Sequence, residues 1–281
     1  MKNRNAFDIL GVLHENNKHL CIGLDPNKFP KGLTYTDSPG LAIAKFNCSI
    51  INATKHLAAS YKLNFCFYER YGARGLEALE RTCRYILEVA PDTLLILDRK
   101  AGDIGSTNEG TAHYAFNVLN ADAITLHSYM GSEAMRPFLE REEKFNFVLC
   151  ATSNPGASQF QNLAILHAEE GEGDLYHDVA RVVTSTWNKN GNCGLVAGAT
   201  NPYKITEIVR LAPNLPLLIP GIGAQGGDLA ATIKAVGASM FLINSSRGII
   251  EASSGPDFAE AARVSAEKLN NEILACKQVA V

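Results

Sequence analysis

Short apolar runs recur along the chain at Leu20 to Leu24, Ala59 to Phe65, Thr93 to Leu97, Ala123 to Leu126, Phe145 to Ala151, Gly194 to Ala197, Leu215 to Ile219 and Ser239 to Ile243. They show little alternation of apolar with polar positions, the pattern of strands buried on both faces. Between them lie segments with apolar positions at helical spacing: Leu41 to Leu57, Gly75 to Val89, Glu109 to Leu119, Leu175 to Asn188, Lys204 to Leu211 and Leu229 to Val236, with Phe258 to Cys276 after the last run. Strand and helix thus alternate without a compositional break. This predicts an α/β fold, a single (β/α)8 TIM barrel over residues 1–281, in which each crossover helix covers the outside of a closed parallel sheet. A doubly wound open sheet is the second reading. Asn5 to Asn17 predicts an extra N-terminal helix covering the bottom of the barrel. One long polar stretch, Asn154 to Asp174, follows the fifth run and contains Glu169-Glu170-Gly171-Glu172-Gly173-Asp174. It reads equally as a lid or as a solvated insertion.

Composition narrows the class. With 281 residues, 46% of them hydrophobic and 20% charged, the chain can bury a large core. No apolar stretch reaches membrane-spanning length, and Met1-Lys2-Asn3-Arg4-Asn5 lacks the apolar segment of a signal peptide, so the expectation is a soluble, cytoplasmic protein with no membrane partner. The seven cysteines, Cys21, Cys48, Cys66, Cys83, Cys150, Cys193 and Cys276, form no C-x-x-C pair. They predict small buried hydrophobes, no disulfide and no zinc or other metal site. A net charge of -3 gives no general attraction to nucleic acid, so an anionic partner requires a local site.

The candidate chemistry lies where the strands end, because such barrels carry their active sites at the C-terminal face. Three opposite charges follow directly on the apolar run Thr93 to Leu97, in Asp98-Arg99-Lys100-Ala101-Gly102-Asp103-Ile104-Gly105-Ser106-Thr107. Alternation along a strand puts Asp98 and Lys100 on one face, with Asp103 just past the strand end, so one ammonium is expected between two carboxylates. The other ends supply Asp25, Lys62, His127 with Ser128, Thr152 with Ser153, Gly198 with Thr200, Pro220 to Gly227, and Asn244 to Arg247. Gly221-Ile222-Gly223-Ala224-Gln225-Gly226-Gly227 opening a helix, together with Arg247, has the make-up of a phosphate site. Asp25 serves equally well as a turn or helix cap. His127 reads as a core or supporting residue, Trp187, Phe65, Phe67 and Tyr68 as packing aromatics, and the other six histidines receive no role.

Taken together, Asp98-x-Lys100-x-x-Asp103-Ile104-Gly105-x-Thr107, Lys62 on the second strand, Pro220 to Asp228 and the late Arg247 resemble orotidine 5'-phosphate decarboxylase. Phe46-Asn47, Tyr61-Lys62 and Asn244-Ser245-Ser246-Arg247 resemble its longer bacterial subgroup in particular, and Leu63 stands where that subgroup often has proline. The resemblance spans about Cys21 to Ile249. It implies conversion of orotidine 5'-monophosphate to uridine 5'-monophosphate and carbon dioxide in pyrimidine biosynthesis, with no cofactor. It further implies that Lys100 stabilises and protonates the C6 carbanion within a Lys62/Asp98/Lys100/Asp103 network. Asp25 and Lys62 would meet the ribose, Ser153 the pyrimidine edge, Pro220 the base, and Gln225 with Arg247 the phosphate. Asp103, Ile104 and Thr107 would enter the site of a neighbouring subunit in a homodimer.

Three other readings remain open on the residues. A metal-dependent barrel enzyme acting on a sugar phosphate would place magnesium where Lys62 puts an ammonium, which repels it. Schiff-base chemistry at Lys100 needs a depressed pKa, whereas flanking carboxylates raise it. A non-catalytic nucleotide-binding barrel would keep partly buried charges at a cost with no return.

Overall fold

The computed structural model describes residues 4–30, 33, 39–167, 171–223 and 226–280. The barrel strands are β1 (Leu20–Gly23), β2 (Ser60–Asn64), β3 (Leu94–Ala101), β4 (Ala123–Leu126) and β5 (Phe145–Ala151), then β8 (Cys193–Ala197), β9 (Leu217–Pro220) and β10 (Phe241–Ser245). All pair in parallel and close in the order β1-β10-β9-β8-β5-β4-β3-β2. The closed barrel, and not the open sheet, is the fold. Helices α2 (Pro39–Thr54), α4 (Gly72–Val89), α5 (Gly105–His113), α6 (Gly131–Leu139), α8 (Leu175–Val182), α9 (Pro202–Leu211), α10 (Leu229–Val236) and α12 (Phe258–Ala280) cover the outside. Shorter helices α3 (Phe65–Glu69), α7 (Ser158–Gln161) and α11 (Arg247–Ile250) follow β2, β5 and β10.

Alternation explains the apolar strands. Along β3, Leu94 and Ile96 point into the barrel with Phe145, Phe147, Val196, Leu218 and Leu242. Leu95 and Leu97 point out into the layer shared with the helices. The Phe145 and Phe147 rings lie 5.0 Å apart, and a Cβ at Gly194 would come within 2.9 Å of the Phe145 ring, so a glycine there makes room for two large side chains.

The predicted N-terminal helix is present as α1 (Ala6–Glu15), with Asn5 accepting from the Phe7 and Asp8 N–H groups at its start. Its Ala6, Leu10 and Leu13 join the interior cluster and close the N-terminal end of the barrel. Just before it, Arg4 donates to both carboxylate oxygens of buried Asp122 at 2.8 Å and to the backbone carbonyls of Pro91 and Thr93.

The stretch over 154–174 carries regular structure of its own. It folds back as an antiparallel hairpin, β6 (Ala164–His167) with β7 (Gly171–Asp174), outside the barrel. Leu175 N–H donates to the Leu163 carbonyl, Asn162 to Asp174, and Lys204 of α9 to Asn162, so side chains tie the hairpin base to the body. Three of the four β6 residues, Ala164, Ile165 and Leu166, are apolar, but the run is short and Leu166 is 82% exposed, so it carries no signature of a buried strand.

Candidate active site

Strand β3 carries the centre of the site. Its pairing with β4 slips: four steps from Leu97 to Ala101 lie against two from Ile124 to Leu126, so β3 bulges by two residues. Within the bulge Asp98 is buried, Arg99 turns outward with its guanidinium 4.6 Å from the Phe65 ring centre, and Lys100 adopts φ +50°. Lys62, on neighbouring β2, donates to Asp98 Oδ2 at 2.7 Å, and Lys100 donates to Asp98 Oδ1 at 2.6 Å. The Thr125 hydroxyl on β4 donates to the same Oδ1 at 2.9 Å, and Asn64 reaches Oδ2 at 3.5 Å.

The electrostatics follow from this packing. Burial alone would raise the Asp98 carboxyl, but the Lys62 and Lys100 ammoniums overcome it and hold the group well below the usual carboxylate range. Burial likewise opposes the Lys62 charge, and Asp98 and Asp25 reverse that, holding the ammonium above the ordinary lysine range. Lys100 keeps a half-exposed side chain, with its ammonium held by Asp98.

A cavity of about 300 Å³ adjoins this network, lined among others by Asp25, Phe67, Pro220, Ser246 and Arg247. Asp25 joins the two. Its Oδ1 accepts from Asn64 N–H at 3.1 Å and its Oδ2 from the Ser246 hydroxyl at 2.7 Å. Ser153 lies just past β5, closely packed on Gly198, whose added Cβ would meet it at 2.8 Å. Arg247 opens α11 at the mouth of the cavity. Gln225 falls outside the described residues.

The structure therefore brings Asp25, Lys62, Asp98, Lys100, Pro220 and Arg247 to one end of the barrel, and it changes two expectations. Asp103 does not flank Lys100 within the chain. It is exposed, and its carboxylate accepts from Ile104 N–H at 2.7 Å while Asn108 brackets its backbone. The reason is the strand end: past Ala101 the chain turns outward into α5, carrying Asp103, Ile104 and Thr107 to the surface, where Ile104 is 53% exposed. Phe67 packs against the core as expected and also lines the cavity, because α3 begins directly at the end of β2. Phe65 and Tyr68 are buried as expected, and the Tyr68 hydroxyl donates to the Leu24 carbonyl. His127 is exposed, and its Nδ1 accepts from Tyr129 N–H at 3.3 Å, a capping role.

Sequence reasoning missed Thr125 and Asn64, and it placed Ser246 at a candidate strand end without giving it a role. Asn64 had a usable signal, lying two residues from Lys62. Thr125 had none, because a β-branched residue inside Ala123 to Leu126 is ordinary strand filler.

Comparison with known proteins identifies the family. The family model described as orotidine 5'-phosphate decarboxylase / HUMPS family matches residues 18–263. The chain is 46% identical over 250 residues to an orotidine 5'-phosphate decarboxylase of Herpetosiphon aurantiacus, covering 88% of this chain and 90% of that one. A Roseiflexus relative of the same name is 42% identical over 94% of this chain and 95% of its own. Among solved structures, Leishmania donovani OMP decarboxylase superposes with TM-score 0.82 at 36% identity, covering 97% of this chain and 98% of that one. Leishmania donovani UMP synthase superposes with TM-score 0.84 at 37% identity, and there the match covers 98% of this chain but 57% of the longer synthase.

Proposed function

Because the chain belongs to the orotidine 5'-phosphate decarboxylase / HUMPS family, we propose that it converts orotidine 5'-monophosphate to uridine 5'-monophosphate and carbon dioxide, as one barrel domain acting in the pyrimidine pathway. The observation that carries this reading is the Lys62–Asp98–Lys100 chain of alternating charges beside a cavity with Arg247 at its mouth.

The chemical problem is a carbanion. Loss of the carboxylate leaves an sp2 lone pair at C6 that the pyrimidine ring does not delocalise, so the site must stabilise localised charge and then deliver a proton. The Lys100 ammonium serves both tasks. At about 3 Å and an effective dielectric near 20, its attraction for that charge is roughly 5 kcal/mol before desolvation. A hard uncatalysed reaction needs a barrier reduction on the order of 20 kcal/mol, so remote contacts must supply much of the rest. Arg247 with Gln225 would hold the phosphate, Asp25 and Lys62 the ribose, Ser153 the pyrimidine edge, and Pro220 the base. Asp98 holds and aims the Lys100 ammonium. In this reading the reaction uses neither metal nor organic cofactor.

Asp103, Ile104 and Thr107, carried outward on one chain, complete the site of a second copy in a homodimer. Asp103 then lies near the substrate carboxylate, where like-charge repulsion is relieved as carbon dioxide leaves. A metal-dependent reaction on a sugar phosphate fits less well. Asp98 is already shared by two ammoniums and a hydroxyl, which leaves it a poor ligand for a divalent cation.

The test is the ultraviolet absorbance change of orotidine 5'-monophosphate mixed with purified, exhaustively chelated protein. Rapid conversion to uridine 5'-monophosphate is expected. Failure to react until magnesium and a sugar phosphate are supplied would overturn the reading.

A further inference from the structure

We infer that Thr125 is a positioning residue for the decarboxylation, fixing the backbone bulge from which Lys100 is presented to the substrate; this rests on the function proposed above.

The bulge needs something to hold it. Lys100 sits at φ +50°, the left-handed region, where a side chain with a Cβ is strained. The two extra residues of β3 also break its regular ladder with β4, so the Lys100 N–H has no ladder carbonyl to meet. Thr125 supplies the missing acceptor. Its hydroxyl oxygen accepts from Lys100 N–H at 2.9 Å, and its single proton goes to Asp98 Oδ1, also at 2.9 Å.

One hydroxyl thus ties the backbone of Lys100 to the carboxylate that its own ammonium grips. The triangle closes through Lys100 Nζ to Asp98 Oδ1 at 2.6 Å. Proton direction is determined throughout, because the carboxylate only accepts and the backbone N–H only donates. Thr125 is 2% exposed, so water does not substitute readily for either bond. Its Cβ branch packs as any strand residue would, which separates shape from hydrogen bonding: valine keeps the first and loses the second, whereas serine keeps the hydroxyl.

The experiment compares Thr125→Val and Thr125→Ser with the unsubstituted protein in steady-state decarboxylation, and measures amide hydrogen exchange at Lys100. A misplaced catalytic group typically costs on the order of 100-fold. Thr125→Val should therefore lower kcat by about that factor while KM changes by less than roughly threefold. Exchange at the Lys100 amide should quicken, and Thr125→Ser should recover most of both effects. Wild-type kcat with unchanged exchange in Thr125→Val would overturn the inference. So would equal losses in Val and Ser, or a fall in melting temperature that accounts for the lost activity, since those mark a merely structural role. Absence of decarboxylation by the unsubstituted protein would sink the proposed function instead, and the exchange measurement would still decide whether Thr125 holds the bulge.

Discussion

Lys62 and Asp98 show how a buried charge is kept in this barrel: each has less than a tenth of its surface exposed, and each is satisfied by the other. Removing one partner leaves the other desolvated and alone, which costs about 3 kcal/mol or more. Asp98→Asn is therefore expected to lower unfolding free energy by that amount in denaturant titration. The pH dependence has a definite sign. Asp98 has its folded pKa held below its unfolded value, so its contribution is present above the unfolded carboxylate pKa of about 4 and is lost as pH falls through the lower folded value. Asp98→Asn should accordingly lessen the loss of stability on acidification below about pH 4. Lys100 differs from Lys62 in being half-exposed, as a group that must reach a ligand has to be. Lys100→Ala should reduce turnover by more than about 1000-fold. Uridine 5'-monophosphate binding by calorimetry should change little. Appreciable residual turnover would remove Lys100 from proton donation.

Elements repeat the division between packing and function. The N-terminal end of the barrel is closed by α1 and clamped by Arg4, whose partner Asp122 is fully buried and also accepts from Leu95 N–H at 2.8 Å. Arg4→Ala should cost about 2 kcal/mol of stability through the unpaired carboxylate. It should leave kcat and KM unchanged, because the clamp lies at the opposite end from Lys100, and a kinetic effect would show that the two ends communicate. Helix boundaries were legible where apolar periodicity was strong, as in α4 and α10. They were not legible over α5, which begins at Gly105 although Gly105-Ser106-Thr107 reads as loop, because Asn108 pins its start by donating to the Asp103 and Ala134 carbonyls. Helix α6 is likewise unannounced, with Gly131 at its head and Pro137 inside it. Both helices begin just past strand ends at the catalytic face, where residues answer to tertiary contacts more than to intrinsic propensity.

At the scale of the molecule, one chain does not gather every residue of the proposed chemistry. Asp103, Ile104 and Thr107 stand exposed just past the end of β3, and Tyr129 and Met130, past the end of β4, are exposed as well. The proposed shared-site homodimer makes a quantitative prediction. A protein carrying Lys100→Ala and a protein carrying Asp103→Ala should each be nearly inactive. Mixed at equal concentration and allowed to exchange subunits, they should regain roughly a quarter of wild-type activity, since half the dimers then hold one intact site. No recovery, with exchange verified by sedimentation of labelled chains, would mean that each chain works alone.

The amino-acid sequence by itself determined the barrel, its extra helix, and Asp25, Lys62, Asp98, Lys100, Pro220 and Arg247 as residues of one end. Strand burial leaves apolar runs, and strand ends are the places where charge can stand beside them. Only the tertiary structure decided that β3 bulges, that Thr125 and Asn64 complete the surroundings of Asp98, that Phe67 faces the cavity, and that Asp103 turns away from its own Lys100. These depend on pairing register and on neighbours distant in the chain, and periodicity along one strand carries no record of how that strand slips against the next.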